Sequence, residues 1–141
     1  MGDKIVKPIF RPKSYWGAPI SLADEISVNM RMMHSILNID MISLPLIWDG
    51  GNLVTNGKVG FITERIIKDN KKKYTRKQIE KIINDTLKIK PVFITELKGD
   101  KLAHSDGYLA FINENTVLLS EYPVNKLFEK IKSMLIKLRK Y

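Results

Sequence analysis

The same order of elements is written twice in this chain, and that repeat limits what it can fold into. Ser21 opens "SLADEISVNMRMMHSIL", where Ser21 with Asp24 forms an N-cap pattern and Ile26, Met30, Met33 and Leu37 fall on one helical face. The strand-like "MISLPLIW" follows, then "NLVTNGKVGFIT", whose Asn56-Gly57 predicts a hairpin with a type I′ turn. Thr75 with Gln78 predicts a capping box at the head of "TRKQIEKIINDTLKI", with Ile79, Ile82, Ile83 and Leu87 as its buried stripe. "PVFIT" and a second hairpin, "GYLAFINENTVLLS", complete the second copy.

The copies superpose in sequence. "LNIDMISLPL" from Leu37 matches "LKIKPVFITEL" from Leu87 at an offset of 50, and "DGGNLVTNGKVGFITE" from Asp49 matches "DGYLAFINENTVLLSE" from Asp106 at an offset of 57. The second copy thus carries seven extra residues before its Asp-Gly, and His104 sits among them. Units repeated at this period stack, because one unit alone cannot bury its apolar face. A third copy opens at Val124, with Leu127, Ile131, Leu135 and Leu138 on one stripe, and has no strand after it. The expectation is a single domain over 1–141, built of modules at about 21–64 and 75–121 plus the start of a third at 124–141. Such a chain reads as truncated, two and a third units of a longer array.

Composition narrows the chemistry. There is no cysteine, so disulfides, thiolate metal sites and a cysteine nucleophile are excluded within these residues. No apolar run approaches the roughly 20 residues that span a bilayer. The start, "MGDKIVKPIFRPKSYW", carries mixed charge and no apolar core, unlike a secretory signal, so a cytoplasmic protein with no membrane partner is expected. The net charge of +9 raises the question of nucleic acid. Most lysines stand singly, however, and the denser stretches "KDNKKKYTRK" and "KIKSMLIKLRKY" lack interleaved aromatics, reading as a solvated loop that runs into a helix and a basic helix end. Nucleic acid is therefore not the expected partner.

"PLIWDGGNLVTNG" followed downstream by "AHSDGYLAFINENTVLLSEY" resembles the agmatine deiminase and bacterial-type peptidylarginine deiminase family, guanidine-modifying enzymes of pentein fold. The resemblance runs from about Phe10 to Tyr122. It implies an α+β architecture, an α/β-propeller of which this chain would hold a part. It also implies hydrolysis of a guanidinium group, on agmatine or a peptidyl arginine, to a ureido group and ammonia, with no cofactor and no metal.

That chemistry has physical requirements. A planar cation is held by carboxylates through paired, charge-assisted hydrogen bonds. Its carbon is a poor electrophile, so a thiolate attacks it, and an imidazole moves the protons. By resemblance His104 is the acid/base, Asp106 a substrate-holding carboxylate, and Asp49 a group that binds substrate or orients the histidine. Gly50, Gly51 and Asn52 would shape the first turn and Gly107 the second, with Asn52 also among the substrate-binding residues; Trp48 reads as a packing residue that, next to Asp49, would also line the substrate pocket. From the repeat itself, Asp49 and Asp106 are expected at equivalent places in successive modules, converging on one axis.

The chain departs from the family at several points. The cysteine is absent, no acidic residue follows an arginine upstream, Ala103 stands where the family has Gly, and Tyr108 and Ala110 are unusual. Asp-Gly also opens ordinary turns, and a lone loop histidine needs no role; His34 is expected to have none, and Trp16 is expected to pack. Two readings remain open: an incomplete deiminase, self-associating or completed by a chain that carries the cysteine module, and a non-catalytic module that binds a guanidinium ligand.

Overall fold

The computed structural model describes residues 4–10 and 20–120. The expected third copy at 124–141, Trp16 and the basic C-terminal stretch lie outside the described residues. Strand β1 (Lys4–Ile9) is followed by helix α1 (Ile20–Leu37) and strand β2 (Asp40–Ile47). After a 3-10 turn at Gly50–Asn52 come β3 (Val54–Thr55) and β4 (Val59–Thr63), then helices α2 (Arg65–Asn70) and α3 (Arg76–Leu87) and strand β5 (Lys90–Ile94). A second 3-10 turn at Ser105–Gly107 leads into β6 (Leu109–Asn113) and β7 (Thr116–Leu119). Among the described residues no helix is long and apolar enough to cross a membrane.

β1 pairs with β2 in parallel across α1, and β4 pairs with β5 in parallel across α2 and α3, from Val59↔Lys90 to Thr63↔Ile94. β3/β4 and β6/β7 are antiparallel hairpins. Each parallel pair thus joins the strand before a helical crossover to the strand after it.

β4 and β5 are apolar on both faces because both faces are covered. Ile62 and Phe93 turn to one side and meet Leu44, Leu46, Ile66, Ile79 and Ile83. Phe61 and Ile94 turn to the other and meet Tyr108 and Leu109 of the following hairpin. Helix α3 forms as its pattern predicts. Thr75 accepts the Gln78 N–H while Gln78 Oε1 accepts the Thr75 N–H, and Ile79 and Ile83 are fully buried, each contributing about 1.5–3 kcal/mol. Asn70, at the end of α2, is also buried. Its amide takes the N–H of Ile47 and donates to the carbonyls of Ile47 and Ile66, tying α2 to the end of β2.

Some expectations need correction. α1 already includes Ile20, so Ser21 stands inside the helix. Of its expected stripe, Met33 and Leu37 are half-exposed. His34 closes the helix by a hydrogen bond between Nδ1 and the Ile39 carbonyl. The first hairpin turn is not type I′, because positive φ occurs at Gly57 (85°) and not at Asn56. Asn56 acts through its side chain instead, its Oδ1 accepting the N–H groups of Lys58 and Val59. Asn113, its counterpart in sequence, accepts the N–H of Asn115 in the same manner. The basic stretch expected as a loop begins inside α2 and becomes a turn only after Asn70.

Candidate functional site

The site is built where the two 3-10 turns meet. In the first turn Asp49 is the N-cap, extended at φ −114°, ψ 140°, and its Oδ1 accepts the Gly51 N–H at 3.1 Å. In the second, His104 is the N-cap, at φ −88°, ψ 138°. The structural counterpart of Asp49 is therefore His104. The expected equivalence of Asp49 and Asp106 fails by two residues, because Asp106 lies within its turn while Asp49 precedes its own. The slip arises after the turns: β6 is longer than β3, and its pairing with β7 shifts between Phe111 and Asn113.

Convergence holds nonetheless. His104 Nε2 lies 3.6 Å from Asp49 Oδ1, with both side chains largely buried. Gly51 is the point of closest approach. A Cβ built there would stand 2.4 Å from His104 Nδ1 and 3.0 Å from Asp106 Oδ2. Imidazole and both carboxylates thus gather round one residue without a side chain, and only glycine leaves room for them. Gly50 and Gly107 are different, since a Cβ at either would meet open space.

Trp48 and Asn52 form the wall beside Asp49. The buried Trp48 ring belongs to the main core, and its indole N–H donates to the Asn52 carbonyl at 3.0 Å. Asn52 is 3% exposed and its Oδ1 accepts the Thr63 N–H at 2.7 Å. Both line the cleft, and both are also structural. A further part of the lining was not foreseen. It comes from α2, where Arg65 Nε donates to both carboxylate oxygens of Asp69 at 3.2 and 3.1 Å. An Arg-Asp pair four residues apart is visible in sequence, but nothing there places it in the same cleft as His104.

His104 is delivered by the inserted segment. Residues 95–104 separate β5 from the second turn, whereas Trp48 and Asp49 alone separate β2 from the first. Ala103 is completely buried and has φ 53°, a left-handed conformation that costs an L-residue on the order of 1 kcal/mol. A glycine at this position would adopt that conformation without the cost. Two hydrogen bonds hold the strained residue: its carbonyl accepts the Thr63 hydroxyl at 2.6 Å, and its N–H donates to Asp100 Oδ1 at 3.0 Å. Thr63, fully buried in β4, therefore anchors the wall residue Asn52 and the segment leading to His104 at once.

Asp100 is held below the ordinary carboxylate value. Burial opposes its charge, but the Ala103 N–H, the Tyr108 hydroxyl and the Leu102 N–H outweigh that penalty, aided by the nearby His104. Burial pushes the Tyr108 hydroxyl far up, and its bond to Asp100 adds to the shift.

A profile of the family described as Porphyromonas-type peptidyl-arginine deiminase matches residues 11–141. The chain belongs to that family. No curated protein matches it in sequence. Among solved structures it is similar to the agmatine deiminase of C. jejuni, with a TM-score of 0.71 and 20% identity, over 95% of this chain and 42% of that one. It is likewise similar to the agmatine deiminase of Enterococcus faecalis, with a TM-score of 0.71 and 18% identity, over 96% of this chain and 40% of that one. At such identities the likeness establishes a shared mixed α/β fold. The chain spans about two fifths of the length of these relatives.

Proposed function

We propose that this chain carries one side of a guanidine-modifying site, in a partial pentein domain whose repeat units stack as a segment of an α/β-propeller. Asp49 and Asp106 would hold the planar cation of agmatine or an arginyl side chain by charge-assisted hydrogen bonds. A thiolate would add to the guanidinium carbon, His104 would pass a proton to the leaving nitrogen so that the C–N bond breaks and ammonia departs, and the imidazole would then take a proton from the water that attacks the resulting thiouronium carbon. Release of the ureido product returns the sulfur as thiolate. That thiolate is not among these 141 residues, which contain no cysteine, so it would come from another module or chain. By themselves these residues are expected to bind without turnover.

The observation that carries this reading is the meeting of His104, Asp49 and Asp106 around Gly51. Three groups of that chemistry on two separate turns, His104 and Asp49 lining the cleft and Asp106 exposed beside them, are what recognition and proton transfer at a guanidinium require. The absence of cysteine also favours a second reading, in which the site binds a guanidinium ligand and does no chemistry. Titration calorimetry with agmatine, arginine and an arginyl peptide tests what the two share. Binding that weakens about tenfold or more in Asp106→Ala is expected, in line with the loss of a charged hydrogen bond. Binding indifferent to that change would remove the site from both readings.

A further inference from the structure

We propose that Asp100 and Tyr108 form a clamp that closes the inserted segment around His104 and sets the imidazole against Gly51. The pair stands on either side of His104 in sequence, and neither residue lines the cleft. Asp100 Oδ1 accepts the N–H groups of Leu102 and Ala103, both at 3.0 Å, so one carboxylate oxygen fixes the two residues that lead into His104. Its other oxygen accepts the Tyr108 hydroxyl at 2.6 Å. That hydroxyl accepts the Leu97 N–H at 3.1 Å, and the Asp100 N–H donates to the Leu97 carbonyl at 3.1 Å. The start of the segment, its middle and the residue just past the second turn are therefore one hydrogen-bonded ring.

The clamp is anchored. The Tyr108 ring is 4% exposed and packs with Phe61, Ile94 and Leu109, so its hydroxyl is held by the hydrophobic core. The Tyr108 N–H donates to the Ser105 carbonyl, which ties the first residue of the turn, next to His104, to the same ring. A segment this long between a strand and a turn has many conformations open to it. The left-handed Ala103 is a conformation that a free loop would leave, and leaving it would swing His104 away from Asp49. Around the imidazole the charged groups among the described residues are Asp49 of the first turn, Asp106 of its own turn, Asp100, whose charge acts on it, and the Arg65–Asp69 pair that lines the same cleft. Asp100 and Tyr108 are positioning residues, acting through His104 and touching no ligand.

The proposal rests on reading His104 as a working group, but its test reads geometry and is independent of ligand. The chain has two histidines, so a His34→Gln background leaves a single imidazole to observe by NMR. A Gly51 α-proton lies against that ring, and a strong cross-relaxation peak between them is expected in the parent. Asp100→Ala should abolish the peak while the amide fingerprint of core residues such as Ile62 and Ile83 stays unchanged. Tyr108→Phe, which removes one oxygen from a packed ring, should weaken it, and Asp100→Asn, which keeps an acceptor for the two N–H groups, should restore it in part. Should Asp100→Ala fail to fold, Tyr108→Phe decides. A peak of parental intensity in the Phe variant, or in a folded Asp100→Ala, overturns the clamp. A protein that loses the peak in these variants yet binds no guanidinium as parent keeps the clamp and loses the proposed function.

Discussion

At Gly51 the spacing decides whether a single methyl group can be accommodated. The atoms it would strike belong to the His104 ring and the Asp106 carboxylate, at 2.4 and 3.0 Å, and not to backbone. Side chains yield more readily than main chain, so Gly51→Ala should fold with a loss of about 1–3 kcal/mol while driving the imidazole off its place. Guanidinium affinity measured by calorimetry should then fall about tenfold or more, equivalent to roughly 1.4 kcal/mol. A variant that binds as the parent does would show that the meeting point is not the binding point. The protons at Asp100 and Tyr108 give a second prediction. Asp100 lies below its ordinary 3.8 in the fold, so the fold gains from the charged carboxylate above that value and loses the gain as pH falls through the depressed one. Tyr108 is raised above its ordinary 10.0, so its contribution is full below that value and disappears as pH rises through the raised one. Urea midpoints measured against pH should fall at both extremes. Asp100→Asn should flatten the acid limb and Tyr108→Phe the alkaline limb; slopes that match the parent in both variants would refute the assignment.

Strand β4 does more for the site than either turn does. Thr63 sits in it with no exposed surface, its N–H bound to the side chain of Asn52 and its hydroxyl to the carbonyl of Ala103. Thr63→Val keeps the shape and removes the hydroxyl, leaving the Ala103 carbonyl without that donor at a cost of about 1–3 kcal/mol. Chemical denaturation should register that loss, and His104 resonances should broaden as the segment loosens. An unchanged midpoint would mean that the carbonyl finds water. Elements of this kind differ in how far sequence reveals them. The capping box of α3 and its Ile79–Ile83 face are legible because all the partners lie within a few residues of one another. The two hairpins are legible from the turn asparagines, although the positive φ falls on Gly57 alone. The equivalence of Asp49 and His104 as N-caps is not legible: the sequence aligns the two Asp-Gly pairs, while the chain aligns the two N-caps and absorbs the difference in β6. Asp100 stays hidden for another reason. Two of the groups it binds are backbone N–H groups, which every residue between 100 and 104 offers alike.

Across the molecule, the rule of assembly is that a strand preceding a crossover pairs in parallel with the strand following it, as β1 does with β2 and β4 with β5. β7 ends the second hairpin as β4 ends the first, so a following unit would present its first strand to β7 by the same rule. A missing thiolate could reach His104 by that route without any change within the site, since stacked repeats meet chiefly through their neighbours. Mixing this chain with the cysteine-bearing modules of a family member should therefore yield a complex detectable by size-exclusion chromatography. The complex, and neither part alone, should release ammonia from agmatine or an arginyl peptide. His104→Ala should abolish release while leaving the complex intact, because that side chain stands at the cleft and not on β7, the strand that a following unit would pair with. Gly51→Ala should lower release by displacing the same imidazole. A complex that forms and releases nothing from any guanidinium would leave the binding reading standing alone. Release that survives His104→Ala would place the proton transfer on another group and remove the reason for gathering these side chains around Gly51.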